Sequence, residues 1–201
     1  MSFFTVPIVT RSLDDNSFLL AFHSIDDIQP KINNSLFNYL LKNKGQIEKC
    51  LYQWDTMKKY TNTYEYIHTQ IPGTKNSVCK YKPISRSYFK MIEILDNFNI
   101  LEGHSENNIN SFHLAEGPGG FIEAIATKRE NPNDRYYGMT LIEPQNNNVP
   151  GWRKSEKVLE TYKNIIIETG VDNKGDLYNK DNLEYCFRKH GNKMDVITAD
   201  G

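Results

Sequence analysis

SFHLAEGPGGFIEAIATKR, residues 111–129, is the stretch on which the fold turns. Residues 111–115 read as a short strand, residues 117–120 as a tight turn, and residues 121–129 as a helix. Glycines at 117, 119 and 120 let the backbone take a positive φ and approach a ligand closely. In an open α/β sheet, the turn after the first strand is where a nucleotide-like cofactor binds. The turn is not G-x-G-x-x-G, and no G-x-x-x-x-G-K-[ST] occurs, so neither a dinucleotide nor a triphosphate is supported. A nicotinamide-dependent oxidoreductase falls on the same ground. The short turn from Glu116 to Phe121 suits a cofactor without phosphates, such as S-adenosylmethionine. A plain tight turn is the alternative.

Outward from this turn, the rhythm stays strand, turn, helix. Residues 136–142, 164–168 and 194–198 read as further strands, residues 152–162 as a helix, and Asp181 as the N-cap of a helix through His190. This alternation predicts an α/β fold, a parallel sheet with helices on both faces. Upstream, Ser85 can N-cap a helix with a buried stripe at Phe89, Ile92, Leu95 (or Ile94) and Phe98. A loop rich in Thr, Asn, Gly and Pro covers residues 60–83. Before it, Ile47, Cys50, Leu51, Trp54 and Met57 have helical spacing. Weak strand signals lie at residues 3–9 and 18–22. The expected division is a mostly helical N-terminal extension, residues 1–83, and the first part of an α/β domain, residues 84–201.

The composition fits a globular chain. Of 201 residues, 38% are hydrophobic and 24% charged, and the mean hydropathy is −0.62. The longest apolar runs fall far short of a membrane span, and the N-terminus lacks the pattern of a secretion signal. Three widely spaced cysteines without a C-x-x-C pair argue for reduced thiols, a cytoplasmic setting and no zinc site. The net charge is −1, yet residues 42–90 hold ten Lys/Arg against three Asp/Glu, with Tyr52, Trp54, Tyr60, Tyr64, Tyr66, Tyr81, Tyr88 and Phe89 interleaved. Cations hold phosphates and aromatic faces stack bases, which suits RNA. The plain alternative is a solvated basic surface over an aromatic core.

Three motifs in order carry a resemblance: S-R-S-Y-F-K at residues 85–90, A-E-G-P-G-G-F at 115–121, and D-V-I-T-A-D-G at 195–201. Together they resemble the FtsJ-like RNA 2′-O-methyltransferases, on the cap ribose branch of eukaryotes and large DNA viruses. T-N-T-Y-E at residues 61–65, Y-G-M-T-L at 137–141 and G-V-D-N-K-G-D-L at 170–177 support that branch. With 22 asparagines, the composition matches an AT-rich genome such as a giant virus carries. The resemblance covers residues 58–201 and implies a Rossmann-like fold using S-adenosylmethionine. It also implies methylation of a ribose 2′-hydroxyl at the capped 5′ end of mRNA, in the cytoplasm or a virus factory.

The family uses a Lys-Asp-Lys-Glu tetrad, and Lys90 and Asp200 match its first lysine and its aspartate. Read alone, they are an exposed helix lysine and a turn aspartate. The resemblance sets the cofactor against Glu116, Gly117, Pro118, Gly119, Gly120 and Phe121, with Ser85 near its amino-acid end. It sets Asp176 where it can accept from the adenine or the ribose hydroxyls, or serve merely as a loop cap. Glu143 is a weak candidate for a ribose acid, and Lys58 aligns with a basic residue near the cap. The second lysine and the glutamate are expected beyond Gly201, so this chain is expected to be C-terminally truncated and inactive alone. A further C-terminal segment or a partner chain would then complete the sheet. The competing hypothesis is a non-catalytic subunit of the same fold that binds RNA or stabilises a partner.

Overall fold

The computed structural model describes residues 33–61, 66–67, 69–71, 73–191 and 193–200. It divides into two compact units, one ending at Thr61 and one starting at Asn62. The expected strands at residues 3–9 and 18–22, and most of the T-N-T-Y-E stretch, lie outside the described residues.

The first unit is helical: α1 (Asn34–Ile47), a 3-10 turn at Glu48–Cys50, and α2 (Leu51–Thr61). Asn33 caps α1, its side chain accepting the Leu36 amide at 2.8 Å. Ile47, Leu51, Trp54 and Met57 recur at helical spacing, but all are exposed.

The second unit is the α/β layer, in the order α3 (Ser87–Phe98), β1 (Asn110–Leu114), α4 (Gly120–Arg129), β2 (Arg135–Met139), α5 (Glu156–Thr161), β3 (Ile165–Glu168), α6 (Lys180–His190) and β4 (Val196–Ala199). All three strand pairings are parallel, and the sheet order is β3-β2-β1-β4. This is the parallel α/β sheet expected from the alternation, and it is consistent with the Rossmann-like fold that the resemblance implies. β1 is central, with Leu114 opposite Met139 of β2 and Ala199 of β4.

Side-chain alternation splits the core. On one face, Tyr136 and Val196 meet Met91 and Leu95 of α3 and Ile122 and Ile125 of α4. On the other, Phe112, Tyr137 and Met139 meet Cys186 of α6. At the N-terminal end of the sheet, buried Asp134 accepts the Ile109 amide at 2.8 Å, Arg129 Nε at 2.7 Å and the Tyr136 hydroxyl at 2.8 Å.

Several expected boundaries move, each for a physical reason. Helix α3 starts at Ser87 with Arg86 as its N-cap residue, so Ser85 is not the cap. The buried stripe of α3 is Tyr88, Met91 and Leu95, because its packing against α4 decides which side is covered. Phe89 and Ile92 are partly buried, and Phe98 is exposed. Strand β2 stops at Met139, since the Ile142 amide turns to the Lys174 carbonyl at 2.7 Å. The expected 152–162 helix begins only at Glu156, and Asn179 rather than Asp181 caps α6, accepting the Asp181 amide at 3.0 Å.

Candidate active site

The glycine turn sits at the C-terminal end of central β1, where open α/β sheets place ligands. The chain leaves β1 through Ala115 at φ 55° and reaches α4 through Gly119 at φ 118°. Both lie in the left-handed region, which glycine takes without steric cost. Glu116 locks the turn: its Oε1 accepts the amides of Phe121 at 2.8 Å and Ile122 at 3.0 Å, the first donors of α4. These amides would otherwise be unpaired. Glu116 is only 7% exposed, and burial pushes its carboxyl up to about 8. The two amides pull it down, and the Asp200 charge raises it further.

One glycine of the turn leaves space for a ligand, and the other two allow close packing within the protein. At Gly119 an added Cβ would meet only the Trp152 ring, at 3.7 Å, so that side of the turn is open. At Gly117 it would lie 2.7 Å from the Gly151 carbonyl, and at Gly120 it would strike the hydroxyls of Ser85 and Ser87. Those hydroxyls bond each other, so Ser85 stands at the turn beside the N-terminus of α4. Ser155 Oγ donates to the Pro118 carbonyl at 2.5 Å, tying the segment before α5 to the turn. The Trp152 ring fills the space over Gly138 of β2, and its Nε1 is the one buried side-chain polar atom without a partner among the described residues. A turn with free space beside Gly119 and a buried carboxyl behind it can seat a cationic, phosphate-free cofactor.

Lys90 and Asp200, 110 residues apart in sequence, meet beside this turn. Lys90 Nζ donates to Asp200 Oδ2 at 2.6 Å, with side-chain exposures of 56% and 45%. Helix α3 brings the lysine and the end of β4 brings the aspartate. The entry to α3 is held by buried Glu123 of α4, which accepts the Tyr81 hydroxyl at 2.8 Å and the Ile84 amide at 2.7 Å. Burial, with Glu123 alongside, pushes the Tyr81 phenol well above its ordinary value.

The remaining candidates stand apart from that pair. Asp176 follows β3, and its Oδ1 accepts the Tyr178 amide at 2.9 Å in a local turn. The adjacent Gly175 presses against the Thr140 backbone beyond β2, so this loop lines the same C-terminal rim. Glu143 is exposed and accepts from the Asn146 amide group at 2.8 Å. Lys58 lies in α2, and its side chain is outside the described residues.

Residues absent from the sequence-based set are Glu123, Ser111, His113 and Thr198. His113 is fully buried, with Nε2 2.7 Å from Ser111 Oγ and Nδ1 2.7 Å from Thr198 Oγ1. In sequence, Ser111 and His113 alternate with Phe112 and Leu114, a pattern that marks a solvated strand face. No local signal separates that from a buried polar pair.

Comparison with known proteins agrees with the geometry. A 117-residue stretch, 58% of this chain, is 32% identical to a protein of Autographa californica nuclear polyhedrosis virus named cap-specific mRNA (nucleoside-2′-O-)-methyltransferase. The match spans 40% of that relative's length. The family model described as FtsJ-like methyltransferase matches residues 83–201, which include β1 to β4, the glycine turn, Lys90 and Asp200. With more than half of its length matched, the chain belongs to the FtsJ-like methyltransferase family.

Proposed function

We propose that this chain carries the cofactor side and part of the catalytic site of an S-adenosylmethionine-dependent enzyme. Its reaction would methylate the ribose 2′-hydroxyl of RNA, at the first transcribed nucleotide of capped mRNA. The observation that carries this reading is the Lys90–Asp200 pair, held at 2.6 Å beside the turn that begins at Glu116. The viral relative's name supports the cap as target. A cytoplasmic setting, in the host cytoplasm or a virus factory, goes with that reading.

When bound, S-adenosylmethionine would supply an electrophilic methyl group. The backbone of Gly117, Pro118, Gly119 and Gly120 would hold it, with Ser85, Glu116, Phe121 and Asp176 around it. Glu116 offers negative charge to a cation when ionised. The 2′-oxygen must be aimed at the methyl carbon and must lose its proton to a base, the role that the family gives to the second lysine of the tetrad. Lys90 has three N–H donors, of which Asp200 takes one. The others can hold the ribose oxygen and offset the charge that develops on it as the proton leaves. Asp200 accepts from the ammonium and balances its charge. The basic and aromatic residues between 42 and 90 suit the RNA strand, and Lys58 is proposed as a cap contact.

The test is methyl transfer by the purified enzyme that contains this chain to capped and uncapped RNA of one sequence, followed by nuclease digestion to locate the methyl group. A 2′-O-methyl on the first nucleotide of capped RNA alone is expected. Equal labelling of both RNAs would overturn the cap assignment. Binding of RNA and S-adenosylmethionine without transfer would favour the non-catalytic subunit.

A further inference from the structure

We propose that His113 is a positioning residue for the Lys90–Asp200 pair, acting through Thr198. The inference rests on the reading of that pair as the ribose-methylating site.

Asp200 is held by the strand that carries it. The aspartate lies just beyond the last registered pair of β4, Ala199 opposite Leu114. Among the described strands, β4 pairs only with β1. The ion pair itself is half-exposed, and exposed pairs are too weak to hold two side chains in one geometry. The precision must therefore come from the strand.

Side-chain bonds tie β4 to β1 at both ends. At the start, Asp195 Oδ2 accepts the Asn110 amide at 2.8 Å. Near the end, Thr198 Oγ1 lies 2.7 Å from His113 Nδ1. Thr198 precedes Asp200 by two residues, so the two share the face of the sheet covered by α3. His113 is held in turn by Ser111 Oγ, 2.7 Å from Nε2.

Polar groups at this depth need a reason. Around them the core is apolar, with Met91, Ile122, Ile125 and Val196 on the same face. An apolar pair of similar shape would serve packing without the cost of desolvating an imidazole and two hydroxyls. Burial drives the imidazole down to about 3, so at neutral pH it has one N–H and one lone pair. Each hydroxyl can donate or accept, and both contacts are therefore satisfied in either tautomer. The clamp stays unchanged across the neutral range. It also sets the distance between the ends of β1, where the cofactor turn begins, and β4, where Asp200 sits.

The two ring nitrogens allow a test that separates positioning from folding. An Asn amide can reach the Nδ1 position and keep the bond to Thr198. A Gln amide can reach the Nε2 position and keep only the bond to Ser111. We expect His113→Asn and Thr198→Ser to retain turnover within about threefold of wild type. We expect His113→Gln and Thr198→Val to lower kcat about tenfold or more, with KM for S-adenosylmethionine unchanged. Wild-type kcat in the last two, or losses that follow melting temperature whichever contact is kept, would overturn the proposal.

A measurement without activity decides it independently. Lys90→Met and Asp200→Asn should shift the melting temperature non-additively in the wild-type background and additively with Thr198→Val. Equal coupling in both backgrounds, or none in wild type, would overturn the clamp. Methyl transfer absent from the wild-type enzyme that contains this chain would instead count against the methylating reading, leaving the thermal cycle to judge the clamp.

Discussion

Replacing Glu116 by Gln should stabilise the protein above neutral pH and change it little in acid. The carboxyl caps two amides of α4 while 7% exposed, and its folded value is about 8 against an ordinary 4.5. Below about 4.5, folded and unfolded chains both hold the proton, and stability does not depend on it. Between about 4.5 and 8 the folded chain keeps a proton that the unfolded chain releases, so stability falls as pH rises. Each pH unit in that window is worth roughly 1.4 kcal/mol, which sets a ceiling of about 5 kcal/mol on the loss at pH 8 and above. A glutamine can keep both amide bonds through its carbonyl and has nothing to ionise. His113 works in the opposite sense, adding stability as pH rises from about 3 towards 6.5, but it is common to both proteins. The difference between them isolates Glu116. Urea unfolding of wild type and Glu116→Gln at several pH values between about 5 and 8 should show the variant gaining about 1 kcal/mol or more per pH unit. A difference flat to within about 0.5 kcal/mol across that range would refute the burial of an ionisable group behind the turn.

Gly119→Val should abolish the thermal shift caused by S-adenosylmethionine, because φ 118° resists a β-branched residue and the side chain would fill the open side of the turn. An undiminished shift at millimolar cofactor would place the ligand elsewhere. Lys90→Ala should lower kcat by about 100-fold or more while leaving cofactor affinity within a few-fold, read by single-turnover kinetics and calorimetric titration. Equal turnover would remove Lys90 from the site. Asp134→Ala should cost about 3–5 kcal/mol, since it leaves the Arg129 guanidinium, 6% exposed, without its carboxylate partner. A cost below about 1 kcal/mol in urea unfolding would contradict the buried pairing.

The α/β layer was legible because its punctuation is local. The glycine turn divides β1 from α4 within a dozen residues, and Ile165–Glu168 and Val196–Ala199 are short β-rich runs between polar stretches. What was misread depended on tertiary packing. In α3, Phe89 and Phe98 are nine residues apart and so lie on opposite sides of the helix, whereas Tyr88, Met91 and Leu95 share the side packed against α4. Ser85 has the chemistry of a helix cap but serves the approach to Gly120 instead. The meeting of Lys90 with Asp200 crosses 110 residues, and no periodicity foretells it; only the resemblance pointed there. Glu123 was hidden because a glutamate inside a helix normally faces water, whereas this one is buried holding Tyr81 and Ile84. The Ser111–His113–Thr198 line was missed because its bond from His113 to Thr198 joins side chains 85 residues apart, which no local pattern marks.

The sheet order also sets a timetable. β1 gains β2 on one edge after about twenty residues, through a short crossover. Its other edge must wait for β4, with His113 and Thr198 separated by 85 residues. At a synthesis rate of about 5–20 residues per second, that edge stands open for roughly 4–17 s on a ribosome. A strand left waiting can recruit the wrong partner, and polar inward-facing side chains are one of the means by which sheets discourage that. Ser111 and His113 sit on the strand that waits. Among the described strands, the corner with Asp200 is thus the last to close, and Lys90 meets Asp200 only as β4 docks.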